Sequence, residues 1–151
     1  MGGRALGIAA CATLLLGSGA AAQGKEVIRA PGAPPGLPFS PAVRVGDLLF
    51  LSGQIGTVPG TRELAPGGIG PETRQTLENI RTVLEYAGAT LADVVKCTVF
   101  LQDIAEWPAM NEVYREFFTE DPPARSAVAG SGLALGARVE IECIAAARSK
   151  K

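Results

Sequence analysis

The 151-residue chain contains no histidine. That absence removes every Ser-His-Asp or Cys-His triad, every histidine-based zinc site and every imidazole general base. Any chemistry must run on Arg, Lys, Asp, Glu, Ser, Tyr or backbone amides. Aromatic residues are scarce at 5%, and 14 basic against 15 acidic residues leave a formal charge of −1. So balanced a chain has no electrostatic case for binding nucleic acid or an anionic lipid surface. The GxxxxGK[ST] pattern of a phosphate loop is missing too. Gly130, Gly132 and Gly136 imitate a dinucleotide fingerprint, but only 15 residues follow Gly136, too few for the helix, strand and ribose-binding acid of such a site. With 47% hydrophobic and 19% charged residues, the composition is that of one soluble globular domain with a single core.

What is present begins with a leader. Arg4 precedes an apolar stretch from Ala5 to Leu16, and small residues run from Gly17 to Ala22. The pattern predicts a secretory signal peptide over residues 1–22, cut after Ala22, and hence a periplasmic or secreted protein. An uncleaved membrane anchor is one alternative, since residues 5–22 reach the lower length limit for a span. A lipoprotein box at Cys11 is another, with little apolar sequence ahead of it. Cleavage takes away Arg4 and Cys11, which moves the formal charge from −1 to −2 and leaves two of three cysteines. Cys97 and Cys143 both lie in apolar, strand-like runs. An oxidising compartment allows them to pair, but the expectation is two buried free thiols acting as small hydrophobes.

Residues 23–41 hold the short apolar piece Val27-Ile28 and then five prolines from Pro31 to Pro41. Such a segment is excluded from a central strand or a helix and is expected to run extended over the surface. In the domain proper, residues 42–151, Gly46-Asp47 joins two strand-like runs as a hairpin of the II′ type. The second run, Leu48 to Leu51, is apolar throughout and predicts a strand covered on both faces. A loop over residues 56–71 has Leu64 as its anchor. Leu77, Ile80, Leu84 and Ala87 then recur at helical spacing over residues 72–87, and Gly88 ends the helix. Residues 94–101 form a buried strand. A second helix follows Asp103, with Pro108 in its first turn and Trp107, Met110, Tyr114 and Phe117 on one stripe, read as core packing. Two more strands lie at 125–129 and 139–145. The order β-β-α-β-α-β-β implies an α+β fold in which two helices cover one face of a mostly antiparallel sheet. Val139, Ile141 and Cys143 face one side, Glu140, Glu142 and Ile144 the other. That second face, part polar and part apolar, suits an oligomer interface.

The pair Pro123-Ala124-Arg125-Ser126-Ala127-Val128 and Val139-Glu140-Ile141-Glu142 closely resembles the signature of the reactive-intermediate deaminase family (RidA, also called YjgF-type). Ser52-Gly53-Gln54-Ile55, the helix with Asn79, the strand Asp93 to Phe100, and Met110-Asn111-Glu112-Val113-Tyr114 support it in order. The resemblance spans roughly residues 28–147. It implies a chorismate-mutase-like α+β fold and a homotrimer with clefts between subunits. The implied activity is hydrolysis of 2-imino acids to 2-keto acids and ammonia, without metal or organic cofactor. It further implies that Arg125 holds the substrate carboxylate and Glu140 positions water. Ser52, Gly53 and Asn111 then line the cleft, together with Phe39 at the end of the N-terminal segment.

These residue types suit that chemistry independently of the family. A guanidinium grips a carboxylate through two parallel hydrogen bonds. A carboxylate that takes a proton from water lets the oxygen add to an electrophilic imine carbon. The spacing alone also allows Arg125 to be an ordinary ion-pair partner, and Glu142 shares a face with Glu140. Two departures stand out: Leu37-Pro38-Phe39 occupies the place of a common Gly-Pro-Tyr, losing a hydroxyl, and Ala127 stands where a cysteine is frequent. The rival reading is a non-catalytic trimer that binds a small carboxylate ligand or another protein.

Overall fold

A computed structural model describes residues 24–30 and 36–146. The leader, its cleavage point, Cys11, Pro31, Pro34 and Pro35 lie outside those residues. Seven strands, β1 (Lys25–Ile28), β2 (Ala42–Val45), β3 (Leu48–Leu51), β4 (Gln54–Ile55), β5 (Val94–Leu101), β6 (Ala124–Ala129) and β7 (Val139–Ala146), form one mixed sheet. The order is β1-β2-β3-β7-β5-β6, with β4 also bonded to β7. Every pairing is antiparallel except β5 with β6. A parallel pair needs a crossover, and helix α2 (Trp107–Phe117) supplies it. Helix α1 (Ile69–Tyr86) likewise joins β4 to β5, which both run antiparallel to β7, and it packs against α2 on the same side of the sheet.

The Gly46-Asp47 turn has positive φ at Gly46 alone, as a II′ hairpin requires. Helix α1 starts three residues earlier than the apolar periodicity indicates. Its N-cap is Gly68, and Pro71 occupies the first turn, where a missing N–H costs no bond. The C-terminus ends as expected: Gly88 has φ 76°, its N–H donates to the Glu85 carbonyl, and Ala89 N–H reaches Leu84 at 2.8 Å. The buried Arg44 of β2 donates to the carbonyl of Ala87 at 2.6 Å, placing a cation at the negative end of that helix.

The core lies between helices and sheet, with Leu77, Ile80, Leu84, Met110, Val99 and Ile141 fully buried. Three expectations change. Strand β3 is covered on one face only: Leu49 and Leu51 are buried, whereas Leu48 and Phe50 are 41% and 42% exposed, because both helices sit on the opposite side. The N-terminal segment contributes β1, an edge strand on β2, with the prolines following it. Cys97 and Cys143 are not free thiols. They are direct cross-strand partners of β5 and β7 and form a disulfide.

Candidate functional site

Strand β6 is an edge strand that pairs in parallel with β5, setting Arg125 opposite Cys97, which is itself opposite Cys143. Residues directly opposed in a sheet project to the same face. Arg125 therefore leaves the sheet on the helix-covered side, at its border. Its guanidinium lies 4.6 Å from the centre of the Tyr114 ring and 5.9 Å from that of Trp107. Cation–π contact with two rings restrains the guanidinium plane. Among the described residues no carboxylate pairs with Arg125. Asn111, half-buried, falls between the two rings on α2, four residues after Trp107 and three before Tyr114. Burial pushes the Tyr114 phenol up to about 12, against a smaller opposing pull from Arg125, so the ring stays neutral.

Trp107 and Tyr114 are the site residues that the helical stripe concealed. Met110 is buried core, but Trp107 is 41% exposed and stands beside Arg125 rather than among the apolar side chains. Asn111 on the same stripe was the available signal: a polar residue amid aromatic ones marks where core gives way to a site wall.

Glu140 sits on β7 opposite Phe100 of β5 and Ile55 of β4. Its neighbours Val139 and Ile141 are fully buried under the helices, so Glu140 projects to the bare face of the sheet. Gly53 makes its position possible. A Cβ at residue 53 would lie 1.9 Å from the Glu140 Oε1, so any side chain there would expel the carboxylate. The Ser52 hydroxyl donates to the carbonyl of Ser40 at 2.7 Å, and Ser52 N–H to that of Pro41 at 3.0 Å. These bonds dock the Phe39 segment beside Gly53 and commit the Ser52 hydroxyl as a hydrogen-bond donor. Burial raises the Glu140 carboxyl above the ordinary glutamate range, and the Glu142 charge adds to the rise. A group shifted in that direction is better matched to exchanging protons near neutrality.

Each chain thus carries two half-sites on opposite faces of the sheet. One comprises Arg125, Asn111, Trp107 and Tyr114; the other Glu140, Gly53, Ser52 and Phe39. Arg125 and Glu140 do not meet within one chain. Among the described residues no group of three or more carboxylate or cysteine side chains gathers as a metal site.

A family model described as Endoribonuclease L-PSP matches residues 30–147. The chain is 48% identical over 122 residues to a RutC family protein of Pyrococcus horikoshii, covering 80% of this chain and 97% of that one. It is 44% identical over 121 residues to a 2-iminobutanoate/2-iminopropanoate deaminase of Dermatophagoides farinae, covering 80% and 94%. The crystal structure of E. coli TdcF with bound serine matches with a TM-score of 0.71 at 38% identity, over 82% of this chain and 97% of that one.

Proposed function

The chain belongs to the Endoribonuclease L-PSP family, which includes the RidA-type deaminases, and from that premise we propose that it hydrolyses 2-imino acids to 2-keto acids and ammonia. The observation that carries this reading is Arg125, a guanidinium set on two aromatic rings with no acid partner among the described residues. Its free edge suits two-point binding of a carboxylate. The two half-sites complete each other only between chains, and the resemblance to the RidA family makes that unit a homotrimer, with Arg125 of one subunit facing Glu140 of the next. The exposed Phe50 and Leu48 on the bare face supply apolar area for that contact.

In such a cleft Arg125 fixes the substrate carboxylate and hence the imine carbon. Glu140 takes a proton from water as its oxygen bonds to the protonated imine carbon. The resulting carbinolamine collapses as Glu140 returns that proton to nitrogen, the C–N bond breaks and ammonia leaves. The hydroxyl proton passes to solvent as the new carbonyl forms. Asn111 is placed to hydrogen-bond the substrate near Arg125, and Ser52 with Gly53 forms the floor under Glu140. No step uses a metal or organic cofactor. The proposal includes export to the periplasm or medium, which the leader-like sequence of residues 1–22 and the Cys97–Cys143 disulfide support.

The test is trapping by semicarbazide of freshly generated 2-iminopropanoate, with and without protein. Faster loss of the trappable imine is expected. An inactive protein that still binds 2-keto acids through Arg125 would favour the ligand-binding reading, for which Phe39, lacking a phenol, is the specific observation.

A further inference from the structure

A cavity of about 370 Å³ lies beside Gly53 and takes no part in the steps above. Its apolar walls are Leu37, Phe39, Ile55, Val58, Val83 and Leu135. Its polar groups are largely engaged: the Asn79 amide donates to the carbonyls of Ile55 and Thr57 at 3.0 and 2.9 Å. The Thr82 hydroxyl donates to Glu78 O, and that of Thr61 to Val58 O. Among the described residues no carboxylate lines the cavity, and the one charged residue that does, Arg62, is exposed. Such a space accepts a hydrocarbon group and offers little to a second charge.

Two of its walls belong to the Glu140 half-site. The Glu140 carboxylate occupies the space over the Gly53 α-carbon where a side chain would stand, and Phe39 is held beside it by the Ser52 bonds to Ser40 and Pro41. The cavity therefore shares its Gly53 and Phe39 walls with the half-site whose Glu140 is proposed to deliver water to the imine carbon, the atom that also bears the substrate's side chain. The methyl of 2-iminopropanoate needs about the volume of one water, ~30 Å³, and would leave most of the space unused.

We infer that this cavity is a side-chain subsite, and that the protein prefers 2-imino acids with bulky apolar side chains, of the size of leucine's or phenylalanine's, over 2-iminopropanoate. The inference rests on the deaminase reading of the same cleft for its catalytic part, but the subsite is open to a binding test of its own. Burying three more carbons is worth well over a tenfold gain in affinity.

Calorimetry with the purified protein and 2-keto acids that differ only in side chain tests it. The expected result is that 4-methyl-2-oxopentanoate binds at least about tenfold more tightly than pyruvate. Thr82→Trp, which brings an indole into the cavity from the exposed side of α1, reduces that preference severalfold. Val58→Trp does the same from the loop opposite, so a folding defect in either variant does not decide the matter. Equal affinities, or a preference that both folded variants retain, overturn the subsite. Semicarbazide trapping of the imines of alanine and leucine reads the parent function separately. Faster hydrolysis of the leucine imine supports both, while hydrolysis of neither, with the keto-acid preference intact, overturns the deaminase and leaves the subsite standing.

Discussion

Among single residues, the proposed mechanism gives Arg125 and Glu140 different tasks, so their variants are expected to fail differently. Arg125→Ala is expected to lower kcat/KM by two to three orders of magnitude, roughly the worth of a lost two-point ion contact. Arg125→Lys restores little, because a point ammonium reproduces neither the fork nor the stacking on Tyr114 and Trp107. Trp107 is the chain's one tryptophan, so its emission on titration with a 2-keto acid measures the binding loss directly. Glu140→Gln keeps the shape against Gly53 and removes the proton acceptor, so turnover falls more than binding does. In the proposed mechanism Glu140 acts as the carboxylate, and its affinity for protons is raised by burial and then by Glu142. Activity is therefore lost as pH falls through a point above the ordinary glutamate range. Glu142→Gln removes the smaller cause and moves that acid limb to lower pH without abolishing it, which a kcat/KM profile from pH 4 to 8 reads.

At the scale of elements, β5 and β7 form the middle of the sheet, and the disulfide staples them at the register point next to Arg125. The bridge closes a separation of 46 residues. Replacing both cysteines by alanine is expected to lower stability by about 2–4 kcal/mol, measured by urea unfolding at fixed protein concentration. Loss of activity in parallel is not required, because Arg125 is held by its own ladder with β5 and by the Tyr114 ring. The elements themselves were largely legible. Residues 94–101 and both helices appear where β-branched runs and helical spacing put them. The start of α1 was hidden because Gly70-Pro71 reads as punctuation, although proline is harmless in a first turn. Strand β4 is two residues long and has no periodicity to reveal it.

For the whole molecule, a homotrimer that joins opposite-face half-sites, as proposed, is expected to leave a distinctive signature. Mixing Arg125→Ala subunits with Glu140→Gln subunits, each inactive alone, creates clefts in which an intact arginine meets an intact glutamate. Random reassortment in a cyclic trimer returns roughly a quarter of wild-type activity, because each mixed trimer regenerates one cleft. Absence of complementation after unfolding and co-refolding, with trimers present by light scattering, would place both groups in one chain's site. A stable monomer at micromolar concentration would remove the intersubunit cleft altogether. Export is tested by intact mass: protein from the periplasm or medium is expected to begin at Gln23.

The amino-acid order was enough to exclude every imidazole-based chemistry, since the chain has no histidine, and to indicate the family through Arg125 and the Val139-to-Glu142 run. It also determined that Glu140 and Cys143 face opposite sides, because strand alternation is a local property. The tertiary structure alone decided that Arg125 lies on the face away from Glu140, since this depends on the register of β6 against β5, set by a crossover helix between them. For the same reason the cysteines paired: whether two buried thiols oppose each other is a fact of strand register, and no spacing along the chain encodes it. The stacking of Arg125 on Tyr114 and Trp107, and the Gly53 contact beneath Glu140, likewise join residues from elements distant in sequence and close only once the sheet has formed.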